Sequence, residues 1–422
     1  MKIPKGVPVA VSLEFSAANV LSVGRLAITP TREVLFEYSA DFIASGLQIN
    51  PRLGPPSNEL IRPREPRLFR GLHGIFADSL PDAWGDVLVR RLAAKNEVDY
   101  SSLTALDRLA IVGHRGMGAL VYDPEIDGAP ADPIDLDRLA DESREVLAGN
   151  DSAILEQLEQ LGGSPGGARP KVLVAMNADG HVIAGVDVFP DDYEAWMVKF
   201  AGPTDPVDIG PLEATYAEMA RQAGIDIMPS KLITARNGPG YFATKRFDRG
   251  PGGTRVHSAT LAALLDVDWS IPTMDYDGVL RAVRFFTRSE AHVLEMFRRM
   301  VFNVAAGNRD DHKKQHSFLM DATGRWSLAP AYDLTFSPGP GGQHYLGVGG
   351  EGQDISLSHI RKVAENQDID QVTVASIVDE VLTAVTRFDE IATTIGVSRV
   401  TRRAIAPALT TSIRALSRAE RR

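Results

Sequence analysis

Not one of the 422 residues is cysteine, which excludes disulfides, thiolate nucleophiles and zinc–thiolate sites and fits a reducing compartment. A run of about 18 uninterrupted apolar residues is missing too, so no membrane-spanning helix is expected. The opening stretch MKIPKGVPVAVSLEF is broken by Pro8 and ended by Glu14 before a signal-peptide core is complete; it reads as a first strand, and a cytoplasmic location is expected. There is no internal repeat of solenoid length and no G-x-x-x-x-G-K-[ST] string of the Walker A type. Basic residues are outnumbered: 45 Lys and Arg against 55 Asp and Glu leave a net charge of -10, so any nucleic-acid contact needs a local basic patch.

What is present is ordinary globular composition, 44% apolar and 24% charged, in a chain long enough for two or three packed units. Residues 7–37 are β-rich, a proline-rich loop follows, and the helix of DSLPDAWGDVLVRRLAA and the strand closing DRLAIVGHRGMGALVYDP complete a first unit over 1–125. An acidic helical connector is expected over 126–160, with ESREVLAGN and DSAILEQLEQL as its helical pieces. In 161–270 a Gly-rich loop feeds a hairpin around Asn177–Gly180, then a strand at AWMVKF, a helix with Leu212, Thr215, Tyr216, Met219 and Ala220 on one face, and a strand at YFATKRFD. Residues 271–422 are mainly helical. A β-rich half followed by a helical half predicts a two-lobed α+β protein.

Chemistry concentrates in AAGNRDDHKKQHSFLM, residues 305–320. The preceding helix has Val293, Met296, Phe297, Met300, Val301 and Val304 at helical spacing, Ser289 as N-cap and Gly307 as stop, so the polar cluster begins where a buried helix ends. The text after it reads strand, turn, strand, and such a hairpin brings Asp333 back towards Asp310. Two converging carboxylates suit phosphoryl transfer, one accepting the hydroxyl proton and one holding magnesium. The amide five residues after Asp310 is Gln315. Two other readings stay open: a metal site using His312 and His316 with Asp310 or Asp311, and a charged turn that only caps the helix.

A kinase reading needs partners elsewhere. GGSPGGARPK, 162–171, offers glycine amides that could approach phosphate, though such clusters are often only surface turns. Lys199 lies inside a β run, where an ammonium needs a phosphate or a carboxylate; Glu213 is the natural partner and Glu218 the alternative. TKRFDR, 244–249, would be a crossing strand whose backbone meets adenine, or a charged edge strand. The Gly/Pro-rich FSPGPGGQHYLGVGGEG after Asp333 is expected to be a mobile loop. Arg402, Arg403, Arg414, Arg418, Arg421 and Arg422 make the C-terminal region basic, as a solvated helix or a DNA contact.

Together and in this order, FADSLPDAWG, DRLAIVGHRGMGAL, SPGGARPK, VKF, KRFDR, NRDDHKKQHSFLM and LAPAYDLTFSPGPGG resemble the HipA family of bacterial toxin kinases from type II toxin–antitoxin modules. The resemblance spans nearly the whole chain. It implies a two-lobed, protein-kinase-like fold and an ATP- and Mg2+-dependent serine/threonine kinase that arrests growth by phosphorylating a cytoplasmic protein, with an aminoacyl-tRNA synthetase as the substrate class it suggests. It implies Asp310 as catalytic residue, Gln315 and Asp333 as metal residues, and Lys199, Gly166, Gly167, Lys245 and Phe247 as the ATP-binding set. Glu213 and His312 would support them, and Ser164 would be the autophosphorylation site that switches the enzyme off. The implied partners are a HipB-like helix-turn-helix antitoxin and, through it, operator DNA. Where the family has Asn, this chain has Gln315, one methylene longer. A catalytically weakened protein acting mainly as a co-repressor is therefore the alternative.

Overall fold

In a computed structural model the described residues are 2–4, 6–81, 83–126, 134–150, 152–162, 167–184 and 189–417. They form two compact units: residues 1–205, 243–267 and 319–325 make up the first, and 206–242, 268–318 and 326–422 the second. Among the described residues no helix is long and apolar enough to cross a membrane.

The first unit opens with an antiparallel sheet of β1 (Val9–Ser16), β2 (Asn19–Ile28), β3 (Val34–Tyr38) and β4 (Leu120–Asp123) in the order β3-β2-β1-β4. Along β1 every second residue, Val9, Val11, Leu13 and Phe15, is buried, the period of two that a one-faced strand requires. Helices α1 (Ala83–Lys95), α2 (Ala105–Val112), α3 (Leu136–Ala148) and α4 (Leu155–Gly162) follow as expected, and α2 starts in a capping box between Thr104 and Asp107. A second antiparallel group contains β5 (Lys171–Asn177), β6 (Val182–Ala184) and β7 (Tyr193–Lys199). Strand β5 is buried from Lys171 to Met176 because α4 packs on it, which explains its unalternating run of Val, Leu and Ala.

The second unit contains α5 (Ile209–Gln222) and β8 (Ser230–Ile233); β9 (Tyr241–Lys245) then carries the chain across the division of units after Phe242. Two further helices, α6 (Tyr276–Thr287) and α7 (Glu290–Ala306), lead to the hairpin of β10 (Ser317–Met320) and β11 (Trp326–Leu328). Four C-terminal helices finish the unit: α8 (Leu357–Asn366), α9 (Gln371–Thr386), α10 (Phe388–Ile395) and α11 (Arg399–Ser417). Helix α7 is its centre, packed by α6, α9 and α11. Its six residues at helical spacing are all buried, each worth about 1.5–3 kcal/mol relative to exposure. Ser289 accepts from the His292 amide at one end, and Gly307 takes the left-handed conformation at the other (φ +65°).

Candidate active site

Past Gly307 the backbone leaves α7 and runs through residues 308–312, outside any helix or strand, before a single turn at Lys313–Gln315. The two adjacent carboxylates of this loop have opposite surroundings. The Asp310 side chain is 48% exposed, whereas Asp311 is fully buried. The loop is fixed at both ends. Asn308 Nδ2 donates to Asn303 Oδ1 of α7 at 3.0 Å, and the Arg309 amide donates to the Ser337 carbonyl at 3.3 Å. At the far end the Tyr332 hydroxyl donates to the Lys314 carbonyl and lies 2.6 Å from Ser317 Oγ. Lys313 is spent on structure, donating to the Ile271 carbonyl at 2.6 Å.

The hairpin expected after the loop forms, and it brings Asp333 to Gln315. Gln315 Nε2 donates to Asp333 Oδ2 at 3.1 Å, so the turn after Asp310 and the residue beyond β11 share one polar point. Asp333 holds a left-handed backbone (φ +54°). Aspartate tolerates that region better than most residues, but it still costs free energy, and strain of this kind clusters at working sites. The nitrogen of the Gln315 amide faces Asp333, leaving its oxygen as the group's metal-binding atom; a carboxylate and an amide oxygen suit a hard cation such as magnesium.

The histidines are placed differently from the metal-site reading. His312 packs against Trp269 (ring centroids 4.5 Å) and Tyr345 (5.5 Å), with Nε2 3.7 Å from Asp310 Oδ1. His316 is buried near Tyr276, 6.1 Å between rings. Burial pushes each imidazole down to about 4, outweighing nearby carboxylates, so both are neutral at pH 7. Among the described residues no group of three or more His, Asp or Glu could hold a metal ion. His312 therefore serves as a ring beside Asp310.

Segment 336–352 is irregular, as its glycines and prolines require, but it is pinned rather than a free loop. The Ser337 amide donates to the Gly307 carbonyl at 3.0 Å, the Tyr276 amide to the Gly347 carbonyl at 2.9 Å, and the amides of Tyr345 and Leu346 to Asp311. Buried Leu346 and Val348 anchor it further. Sequence reading missed Asp311, Tyr276 and His344 as a group; their spacing in the chain gave no sign of convergence.

In the first unit, Lys199 ends β7 and stands opposite Lys171 of β5 in the antiparallel register, both buried. Gly167 has φ +102°, a conformation that favours glycine, and the Lys171 ammonium lies close beside it, 2.5 Å from where a Cβ would stand. Ser164 and Gly166 lie outside the described residues. Glu213, buried in α5, belongs to the second unit, and Lys199 to the first. The crossing strand expected over 244–249 stops at Lys245. There Lys245 Nζ donates to Glu194 Oε1 at 2.7 Å and Phe247 is half-buried. Beyond it Arg246 and Arg249 close on Asp248 in a buried ion cluster, so charge pairing replaces the ladder.

Comparison with known proteins matches residues 163–388, just over half of the chain, to the HipA-like C-terminal domain, and residues 17–123 to the HipA N-terminal domain. Two curated proteins of Sinorhizobium fredii are similar over part of their length: Y4dM, 32% identical over 157 residues, and Y4mE, 29% identical over 150, both named as candidate kinases. Each match covers 33% of this chain, and 37% and 33% of those proteins, so about a third of their length is spanned. Among solved structures, HipA of Shewanella oneidensis MR-1, determined with HipB and operator DNA, aligns over 96% of both chains with a TM-score of 0.69 at 16% identity, a likeness of fold.

Proposed function

This chain belongs to the HipA family, and on that premise we propose that it is an ATP-dependent serine/threonine protein kinase, the toxin of a HipA/HipB-like module. The carrying observation is the bond from Gln315 to Asp333 at the end of a loop whose Asp310 is turned outward. Asp310 accepts the proton of an acceptor hydroxyl; that oxygen attacks the γ-phosphorus of ATP, the bond to the bridging oxygen breaks and ADP leaves. Asp333 and the Gln315 amide oxygen are the donors that would hold Mg2+, whose charge offsets that of the phosphates. Lys199 takes the role of phosphate lysine, Gly166 and Gly167 that of the phosphate-covering backbone, and Lys245 and Phe247 border the nucleotide.

Autophosphorylation at Ser164 is part of this proposal, as are a cytoplasmic protein substrate of the aminoacyl-tRNA synthetase class, a HipB-like antitoxin and operator DNA reached through it. Incubation of the purified chain with ATP and magnesium, followed by mass-spectrometric site mapping, tests it: phosphate on Ser164 is expected, and an unmodified chain with no transfer to any added protein contradicts it. One observation favours a second reading. Gln315, longer than the family's Asn, already spends its nitrogen on Asp333, and such a chain could act mainly as a co-repressor subunit. Robust turnover by the wild type argues against that damping.

A further inference from the structure

Asp311 is used by none of the steps above, yet it is the most heavily bonded side chain of the loop. A fully buried carboxylate is unfavourable unless donors surround it, and four do. The Tyr276 hydroxyl and His344 Nδ1 each lie 2.9 Å from Oδ2, and the amides of Tyr345 and Leu346 donate to Oδ1 at 2.9 and 3.3 Å. Three consecutive residues of the 336–352 segment are thus held by one carboxylate.

The fourth donor extends the network into the helical core. Tyr276 begins α6, and its hydroxyl also accepts from Asn303 Nδ2 of α7 at 2.9 Å; Asn303 Oδ1 in turn accepts from Asn308, the first residue of the loop. Helix α6, the end of α7, the loop and residues 344–346 therefore form one continuous polar chain. A second contact closes it from outside: the Tyr345 ring packs on His312, whose Nε2 is 3.7 Å from Asp310. The backbone carrying Asp310 is gripped through the side chain after it and the ring after that.

Building on the phosphotransfer reading, we propose that Asp311 is a positioning residue that aims the Asp310 carboxylate and docks residues 344–346 beside it. The acceptor hydroxyl then meets Asp310 against a segment held in place rather than one that must be ordered first. Such a role acts on the chemical step. Misplacing a catalytic group by about an ångström costs on the order of 100-fold in rate, whereas ATP binding, which Asp311 does not touch in this proposal, should persist.

The test compares the full-length wild type with Asp311→Ala, Asp311→Asn and His344→Ala. Four quantities are read: kcat for transfer from ATP to the chain or to casein, ATP affinity by calorimetry, thermal melting, and hydrogen–deuterium exchange of peptides spanning 343–350. Expected for Asp311→Ala is a kcat about 100-fold lower per folded molecule, ATP affinity within about threefold, and faster exchange at 344–346. Asp311→Asn should lose less, about tenfold, because the other His344 tautomer can accept from the new amide. His344→Ala keeps both backbone bonds and should lose a few-fold. If Asp311→Ala fails to fold, the other two variants carry the test. A kcat within twofold of wild type in every folded variant, or unchanged protection at 344–346 on removal of the carboxylate, overturns the positioning role. Absent transfer by the wild type defeats the kinase reading instead, and the docking of 344–346 is then decided by the exchange data alone.

Discussion

Asp248 in the first unit and Asp311 in the second are both completely buried, but one is met by two arginines and the other by a hydroxyl, an imidazole and two backbone amides. Arg246 donates to Asp248 twice, at 2.9 and 2.7 Å, Arg249 once at 2.7 Å, and the Gly118 amide adds a bond at 2.7 Å. Burial alone would raise the Asp248 pKa; the two guanidiniums outweigh it and hold the carboxyl well below the usual range. Arg249 also reaches the carbonyls of Gly116 and Gly118, so the cluster staples two distant turns of the first unit together. Asp311 has only a hydroxyl, an imidazole and two amides. None of these four donors is an arginine or a lysine, and their directions do the holding. The first arrangement gives an anchor; the second, in the proposed role, sets the posture of a loop whose preceding residue, Asp310, is half-exposed.

The contrast predicts that changes at the second carboxylate's neighbourhood cost activity and changes at the first cost stability. Asp333→Ala removes the proposed metal ligand from the strained position and should lower phosphotransfer by roughly 10³-fold with a melting temperature close to wild type; a steady-state assay checks it. Asp248→Ala takes the shared carboxylate from two buried guanidiniums and should lose about 3–5 kcal/mol of stability, read from the urea midpoint, while kcat per folded molecule stays unchanged.

Acid should weaken both units through their buried histidines, His312 and His316 in the second as well as two in the first. Burial pushes His73 and His257 down to about 4, below the ordinary 6.5, so the unfolded chain takes up protons first. Their contribution is intact above about pH 6.5 and declines as pH falls to about 4, by at most about 3 kcal/mol each. Urea titrations at pH 7.5, 5.5 and 4.5 should show that fall. A smaller effect is expected from Gln315→Asn. The shorter side chain pulls away from Asp333, so the optimum metal concentration should shift a few-fold, as a magnesium titration of activity would reveal; a large gain in rate would mark the natural chain as damped.

Much of the architecture was legible because it is local. The Ser289 cap, the Gly307 stop and six apolar residues at helical spacing define α7 without any distant information, and the hairpin after it brings Asp333 to Gln315. The Asp311 network was not legible, since His344, Tyr345 and Leu346 lie more than thirty residues away in a stretch whose glycines and prolines suggest only mobility. The Asp310–Asp311 doublet carried a hint: directly after a buried helix, a carboxylate that turns inward must find donors. The pairing of Lys171 with Lys199 depends on strand register, which neither side chain announces. KRFDR misled because its alternating charges resemble an edge strand while their partners, Asp248 and Gly118, form a compact cluster.

The central claim is that Asp310 handles the proton of an acceptor hydroxyl during phosphate transfer. Labelled γ-phosphate transfer from ATP, measured for wild type and Asp310→Ala under identical conditions with the fold of both verified by melting, decides it. Wild-type transfer that falls by about 10²- to 10⁴-fold in the variant, with stability kept because this side chain is half-exposed, is the expected result. Transfer that persists in Asp310→Ala would contradict it.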